Sequence, residues 1–272
     1  MKQRKLRLSG VLFVIVMVIY VGNVLGILFT VILDSISKDW FTGPLPPRLT
    51  FEWYGYAAQQ HNIPQLLIVT FVVAIGVTLI SLLVAFPAAY ALGRHDFKGK
   101  GLLLSFFLLP MIVPPMAFGI PLAMVFYKFR LATRVIGVVL ANLVPIIPFM
   151  ILILMPFIEQ VSANLESAAR MLGAKRLTVF LRILVPLTLP GILTGGILSI
   201  VNTISQFPLT YLVSGAGSQT IVVALYTDAM AAGSRPMQAV DGMAVIYFLI
   251  TMTCLVIALR FVSPTQMVFK IK

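Results

Sequence analysis

The sequence predicts an all-α integral membrane protein with six transmembrane helices and both termini in the cytosol, and three observations carry that prediction. Of the 272 residues 60% are apolar and 10% charged, and the mean hydropathy is +1.05, so most of the chain belongs in lipid. Six windows contain no Asp, Glu, Lys or Arg: 8–33, 53–93, 101–127, 135–158, 183–227 and 242–259. Since about 20 apolar residues cross the hydrocarbon core, each window holds a span or nearly one. With a cytosolic N-terminus, 14 of the 20 basic residues lie inside: Lys2, Arg4, Lys5, Arg7, Arg94, Lys98, Lys100, Arg170, Lys175, Arg176, Arg182, Arg260, Lys270 and Lys272. The other six, Lys38, Arg48, Lys128, Arg130, Arg134 and Arg235, lie outside, which is the positive-inside bias. The same distribution excludes nucleic acid as a partner of the +12 net charge, because the charges flank lipid spans in short loops instead of covering one soluble face.

Taken in order, the first span is near 11–33. Its basic prefix and apolar run resemble a signal peptide, but no small-residue cleavage site follows and the run exceeds twenty residues, so a retained helix is expected. A loop at 34–63 leads to the second span, 64–92, and the basic turn RHDFKGKG at 94–101 leads to the third, 102–127. That span holds Pro110, Pro114, Pro115 and Pro121, each of which removes a backbone donor. Such loosening is tolerated where a cavity or a neighbouring helix satisfies the freed carbonyls. The fourth span is 135–157. The window 183–227 could hold two spans, but TISQ at 203–206 and GAGS at 215–218 favour one, 188–210, followed by an outer loop at 211–241. The sixth span, 242–261, holds Cys254, read as an inert small apolar residue. With one cysteine and two histidines, His61 (a solvated loop residue) and His95 on opposite sides, no metal site is expected.

Between the fourth and fifth spans lies LESAARMLGAKRLTVFLRILVPLTLP, 165–190, too long for a simple turn. Asn164 is expected to cap a first short helix, with Glu166 in its first turn where the dipole favours an anion. Leu165, Ala168, Ala169 and Leu172 make a narrow apolar face, and Gly173 closes the helix in a left-handed turn. A second helix resumes near Lys175 with Leu177, Phe180, Leu181 and Leu184 on one side, and Pro186 and Pro190 bend the chain into the fifth span. A headgroup-bound interfacial helix is the competing reading. It gains nothing from an alanine pair, whereas small residues suit a close-fitting partner surface.

The order of an alanine pair, three residues, glycine, nine residues, isoleucine, one residue, an apolar residue and proline is met by Ala168, Ala169, Gly173, Ile183, Val185 and Pro186. It resembles the EAA loop of permease subunits of binding-protein-dependent type I ABC importers. The resemblance implies that this loop is a coupling helix lodged on a cytosolic ATPase subunit, with Leu165, Glu166, Ser167, Ala168, Ala169, Arg170, Leu172, Gly173 and Ala174 as coupling residues. The family's usual glutamate directly before the alanine pair is Ser167 here, and Glu166 stands one position earlier. On a helix that is a rotation of about 100°. FEWYGYAAQ at 51–59, the 94–101 turn and LLPMIVPPMAFGIPL at 108–122 resemble the polyamine, phosphonate and ferric-iron branch of these permeases. The chain then divides into a first transmembrane helix and periplasmic loop, 1–63, a permease core with helices 2 to 6, 64–262, and a cytosolic tail, 263–272.

Intramembrane polarity concentrates in NTISQF at 202–207. Asn202, Ser205, Gln206 and Thr210 either line a substrate path or hydrogen-bond across helices, and both readings stand at this point. Permeases of the polyamine kind often carry a carboxylate where Ser205 and Gln206 stand, and its absence removes a partner for a cation. No P-loop pattern occurs, so no catalytic residue and no bound cofactor are expected: ATP and Mg would sit on a partner ATPase. The expected partners are an ATPase dimer, a second permease that is a paralogue rather than a copy, a periplasmic solute-binding protein docking on the outer loops 34–63 and 211–241, and the lipid bilayer. The expected function is uptake of a small polar solute, polyamine-like or another small organic solute, across a bacterial inner membrane. The alternative is a secondary transporter or channel without an ATPase, for which inverted repeats or buried ionisable groups would be the signature.

Overall fold

The computed structural model describes residues 8–38, 40, 43–231 and 236–261. Lys2, Arg4, Lys5, Arg7, Arg235, Lys270, Lys272 and the tail 263–272 lie outside the described residues. The described chain is all-helical apart from one isolated antiparallel bridge between Ser37 and Leu49. Four helices are long and apolar enough to cross a membrane: α1 (Leu8–Ser35), α3 (Ile63–Arg94), α6 (Val135–Gln160) and α13 (Met237–Phe261). Two bent pairs bring the number to as many as six. The chain forms two compact units, one of residues 1–62 and 225–249 and the other of 63–224 and 250–272.

In the larger unit, α3 and α6 run parallel and form the core, with Gly76 against Val139 in its middle and Gly93 against Ile158 and Glu159 at its end. One buried cluster joins Val69, Val73 and Val77 of α3 to Val138, Val139 and Ile146 of α6. A second, toward the helix C-termini, joins Ala85, Phe86, Ala89 and Leu92 to Met150, Ile151, Leu154 and Ile158. Helix α10 (Leu189–Ser205) packs antiparallel on both, because its glycines admit close approach: Gly191 lies against Phe157 and Gly195 against Met150. Thr78 donates to Ser199 across the α3–α10 contact at 2.9 Å. A helix apolar on all sides keeps its polar groups paired inside.

Four sequence expectations change. The third span is not one helix: α4 (Lys100–Ile112) and α5 (Pro115–Lys128) meet at 93°. The cause is the Pro114–Pro115 pair, which forces the residues before each proline out of the helical region, Val113 to ψ 131° and Pro114 to ψ 130°. The fifth span ends at Ser205, short of the expected 210, and a separate turn of helix, α11 (Pro208–Val213), follows. The sixth begins at Met237, five residues before the expected 242, so Asp241 lies within it. Nor are the expected outer loops plain coil, since 34–63 contains α2 (Glu52–Gln60) and 211–241 contains α12 (Ile221–Met230).

The smaller unit is held by polar contacts that the loop reading missed. Trp53 Nε1 donates to the Ser37 carbonyl at 2.6 Å, and Ser35 Oγ lies 2.9 Å from Tyr54 Oη. His61 is not solvated: its Nε2 lies 2.7 Å from Asp228 Oδ2, and the two side chains are 16% and 7% exposed. Residues 167 positions apart give no signal of such a pair in sequence.

Candidate functional site

Residues 163 to 187 form four short helical pieces at the C-terminal end of the α3–α6 pair. Helix α7 (Ala163–Met171) is capped by Ser162, whose Oγ accepts from the Asn164 amide at 3.3 Å. Asn164 is therefore inside the first turn, a correction to its expected capping role; either residue type caps, and only the backbone decides which. The exit matches expectation. Gly173 holds φ +88°, its amide donates to Arg170 O at 2.9 Å, and the Ala174 amide reaches Ala169 O at 3.0 Å. These are the paired bonds of a Schellman turn, which require a left-handed residue at the glycine.

Leu165, Ser167, Ala168, Arg170, Leu172 and Gly173 are exposed, and Ala169 and Ala174 half-buried. Leu172 is 90% and the neighbouring Met171 84% exposed, so this apolar material is not used by the chain's own fold. Ser167 Oγ merely donates back to Ala163 O. Glu166 behaves differently: it is 6% exposed. Its Oε2 accepts from Tyr90 Oη at 2.8 Å, and its Oε1 lies 2.8 Å from Arg94 Nε without hydrogen-bond alignment, an ion pair between side chains 7% and 13% exposed. Arg94 also donates through Nη2 to the carbonyl of Val161, just past the end of α6. Removing either partner of such a buried pair costs on the order of 3–5 kcal/mol, because the other charge is left uncompensated. Tyr90 and Arg94 were not read as site residues; at 76 and 72 positions from Glu166, nothing in their spacing marks them.

The second helix also differs from expectation. It is a single turn, α8 (Arg176–Val179), followed by a π-helical turn over Phe180–Leu184 and a short α9 (Val185–Leu187). Phe180 packs edge-on against Phe86 and Tyr90, and Leu184 is buried, whereas Leu177 and Leu181 are 67% and 53% exposed. The wider π turn rotates the chain, so the three leucines and one phenylalanine expected on one side divide between core and surface. The chain then bends by 71° at Thr188 into α10.

The polar stretch 202–207 coincides with the end of α10. Asn202 and Ser205 are exposed, Ser205 Oγ bonding only to its own helix at Val201 O and Asn202 O. Gln206 is half-buried at the C-cap. Thr210 is buried on α11 and accepts from Asn142 Nδ2 of α6 at 3.0 Å, a packing contact. The four residues are thus not presented alike. Among the described residues, no three of His, Cys, Asp and Glu come together as a metal would need.

Residues 85–265 match the protein family described as binding-protein-dependent transport system inner membrane component. The chain is similar to the sulfoquinovosyl glycerol transport system permease protein of Agrobacterium fabrum, 31% identical over 170 residues that make up 62% of this chain and 58% of that protein. It is similar to the molybdenum transport system permease protein of Haemophilus influenzae, 30% identical over 61% of this chain and 80% of that one. It shares its fold with a chain of a bacterial ABC transporter that imports the acidic polysaccharide alginate, with a TM-score of 0.75, 19% identity, and coverage of 96% and 98%. None of the three is named for a polyamine, a phosphonate or iron, so the branch expected from residues 51–59, 94–101 and 108–122 is not supported.

Proposed function

Because this chain belongs to the family of binding-protein-dependent transport system inner membrane components, we propose that it is a transmembrane permease subunit of an ATP-driven importer. The observation that carries the reading is α7. A helix rich in small residues, ended by a Schellman turn, leaves its apolar side chains open where the chain's own fold has no use for them. A cytosolic ATPase subunit fits that surface, with Leu165, Ser167, Ala168, Ala169, Arg170, Leu172, Gly173 and Ala174 at or beside the contact.

The wider assembly follows from this role. In this reading the chain has six spans, with each bent helix pair counted as one, and cytosolic termini, so that α7 faces the ATPase at a bacterial inner membrane; the four long apolar helices and two bent pairs support the count. Residues 1–63 supply the first span and a periplasmic loop, 64–262 the core, and 263–272 a cytosolic tail. A second permease, a paralogue, completes the path, and a periplasmic binding protein delivers the solute. ATP and Mg belong to the ATPase. Asn202, Ser205 and Gln206 line the path at the α10 break, and Thr210 holds α11 to α6 behind them.

The solute is small and polar, and neutral or anionic. Uncharged Asn202, Ser205 and Gln206 offer hydrogen bonds but no counter-ion for a cation. The relatives' named solutes, sulfoquinovosyl glycerol and molybdenum, suit the same reading. Proteoliposomes holding the permeases, the binding protein and its ligand, with and without ATPase and ATP, test it. Uptake should require both, and an Ala169→Cys variant should crosslink to the ATPase. Uptake without the ATPase, or no crosslink in any nucleotide state, overturns the proposal.

A further inference from the structure

We infer that Glu166, Arg94 and Tyr90 form a latch that carries movement of α7 into α3, with Glu166 a positioning residue turned into its own chain instead of a contact offered to the ATPase. The inference rests on the importer reading above. It begins from a contrast within one helix: Leu165 and Ser167 are exposed, and Glu166 between them is buried. An acidic side chain next to solvent points inward only if something there is worth the lost hydration. Here Tyr90 donates to it, Arg94 pairs with it, and Arg170 approaches at 4.0 Å from the next turn.

The mechanical consequence lies in what α7 otherwise touches. Among the described elements, the one it packs most against is α8, its neighbour in sequence. A push on α7 therefore reaches the spans by two routes. One runs through α8 and the π turn into α10. The other runs through Glu166 to Arg94 and Tyr90 on the last turns of α3, with the Arg94 guanidinium also held on Val161 at the end of α6. Since α3 and α6 form the core of the larger unit, the second route enters its most closely packed helix pair. Buried ion pairs add little net stability and are better at fixing geometry, which is what a latch requires.

The test uses the complete importer in proteoliposomes, comparing wild type with Glu166→Gln, Tyr90→Phe and the double variant Arg94→Met with Glu166→Met. The double variant replaces both charges by side chains of similar length, so it folds if the single variant does not. Three quantities are read: ATPase retained by the purified complex, ATP hydrolysis, and solute taken up per ATP hydrolysed. The latch predicts retained ATPase and continued hydrolysis, with uptake per ATP lower by about fivefold or more in Glu166→Gln and the double variant and less affected in Tyr90→Phe. A purely structural role lowers assembly and both activities in proportion at unchanged uptake per ATP, and overturns the latch. Loss of the ATPase from Glu166→Gln, with Tyr90→Phe retaining it at unchanged uptake per ATP, also overturns it and makes Glu166 an ATPase contact. Wild-type uptake without any ATPase removes the importer reading and the latch together, and is recognised before any substitution is made.

Discussion

Gly173 is the residue whose chemistry is most tightly dictated by its backbone. It holds φ +88° with no atom near the place of a Cβ, so a substitution there meets no clash and the cost is conformational alone. For an L-residue that cost is roughly 1–2 kcal/mol, and more for a β-branched side chain. Gly173→Val should leave insertion and the thermal midpoint of the detergent-solubilised protein within a few degrees of wild type, because α7 is peripheral to both buried clusters. It should nevertheless lower uptake per ATP, since the turn sets the direction in which α8 leaves α7; normal uptake would contradict that role. This glycine was legible in sequence because it sits at a fixed distance behind an apolar period. Ser162 and Glu166 were less so: capping depends on which residue leaves helical φ/ψ first, and burial of Glu166 depends on Tyr90 and Arg94, brought near by the fold alone.

At the scale of elements, helix existence was readable and helix continuity was not. Charge-free windows locate lipid-compatible segments whatever their shape, so the four long apolar helices and both bent pairs coincide with them. Breaks depend on local chemistry: Pro114 and Pro115 turn one expected span into two helices at 93°, and the polar end of α10 stops it at Ser205. The α10 glycines make a sharper test of packing. A Cβ at Gly191 would fall on the ring of Phe157, which has no flexible end to yield, whereas at Gly196 it would meet Thr78 and Leu82 at ordinary contact distances of 3.7 and 3.8 Å. Gly191→Ala should therefore destabilise by about 1–3 kcal/mol through overpacking. Gly196→Ala should be neutral or slightly stabilising, as a helical glycine replaced by alanine gains about 0.5–1 kcal/mol. Thermal melts of the two variants in one detergent decide it, and equal losses would mean that α10 does not pack on α6 as described.

For the whole molecule, the number of crossings turns on the bent pair α4 and α5. Helices of 13 and 14 residues are each about 20 Å long, too short to cross alone. Joined at 93° they reach about 28 Å from end to end, close to the ~30 Å hydrocarbon core. Length therefore permits a crossing, while a bend of this size equally suits a re-entrant loop. Positive-inside bias predicts Lys98 on the cytosolic side and Lys128, Arg130 and Arg134 outside. In a Cys254→Ser background, Lys98→Cys and Leu172→Cys should react with a membrane-impermeant maleimide only in inside-out vesicles, and Arg130→Cys only in intact spheroplasts. All three positions suit the test, since Lys98, Arg130 and Leu172 are exposed and the Cys254→Ser change removes the competing thiol. Labelling of Lys98→Cys and Arg130→Cys from one side would make the pair re-entrant, and α6 would then have to start on the same side as α4. Because α3 and α6 run parallel, that result would require both to cross in one direction with no crossing between them, which continuous chain geometry forbids. If α3 and α6 both cross the membrane, their parallel packing predicts that the bent pair spans it, and the labelling pattern tests that packing as directly as it tests the count of spans.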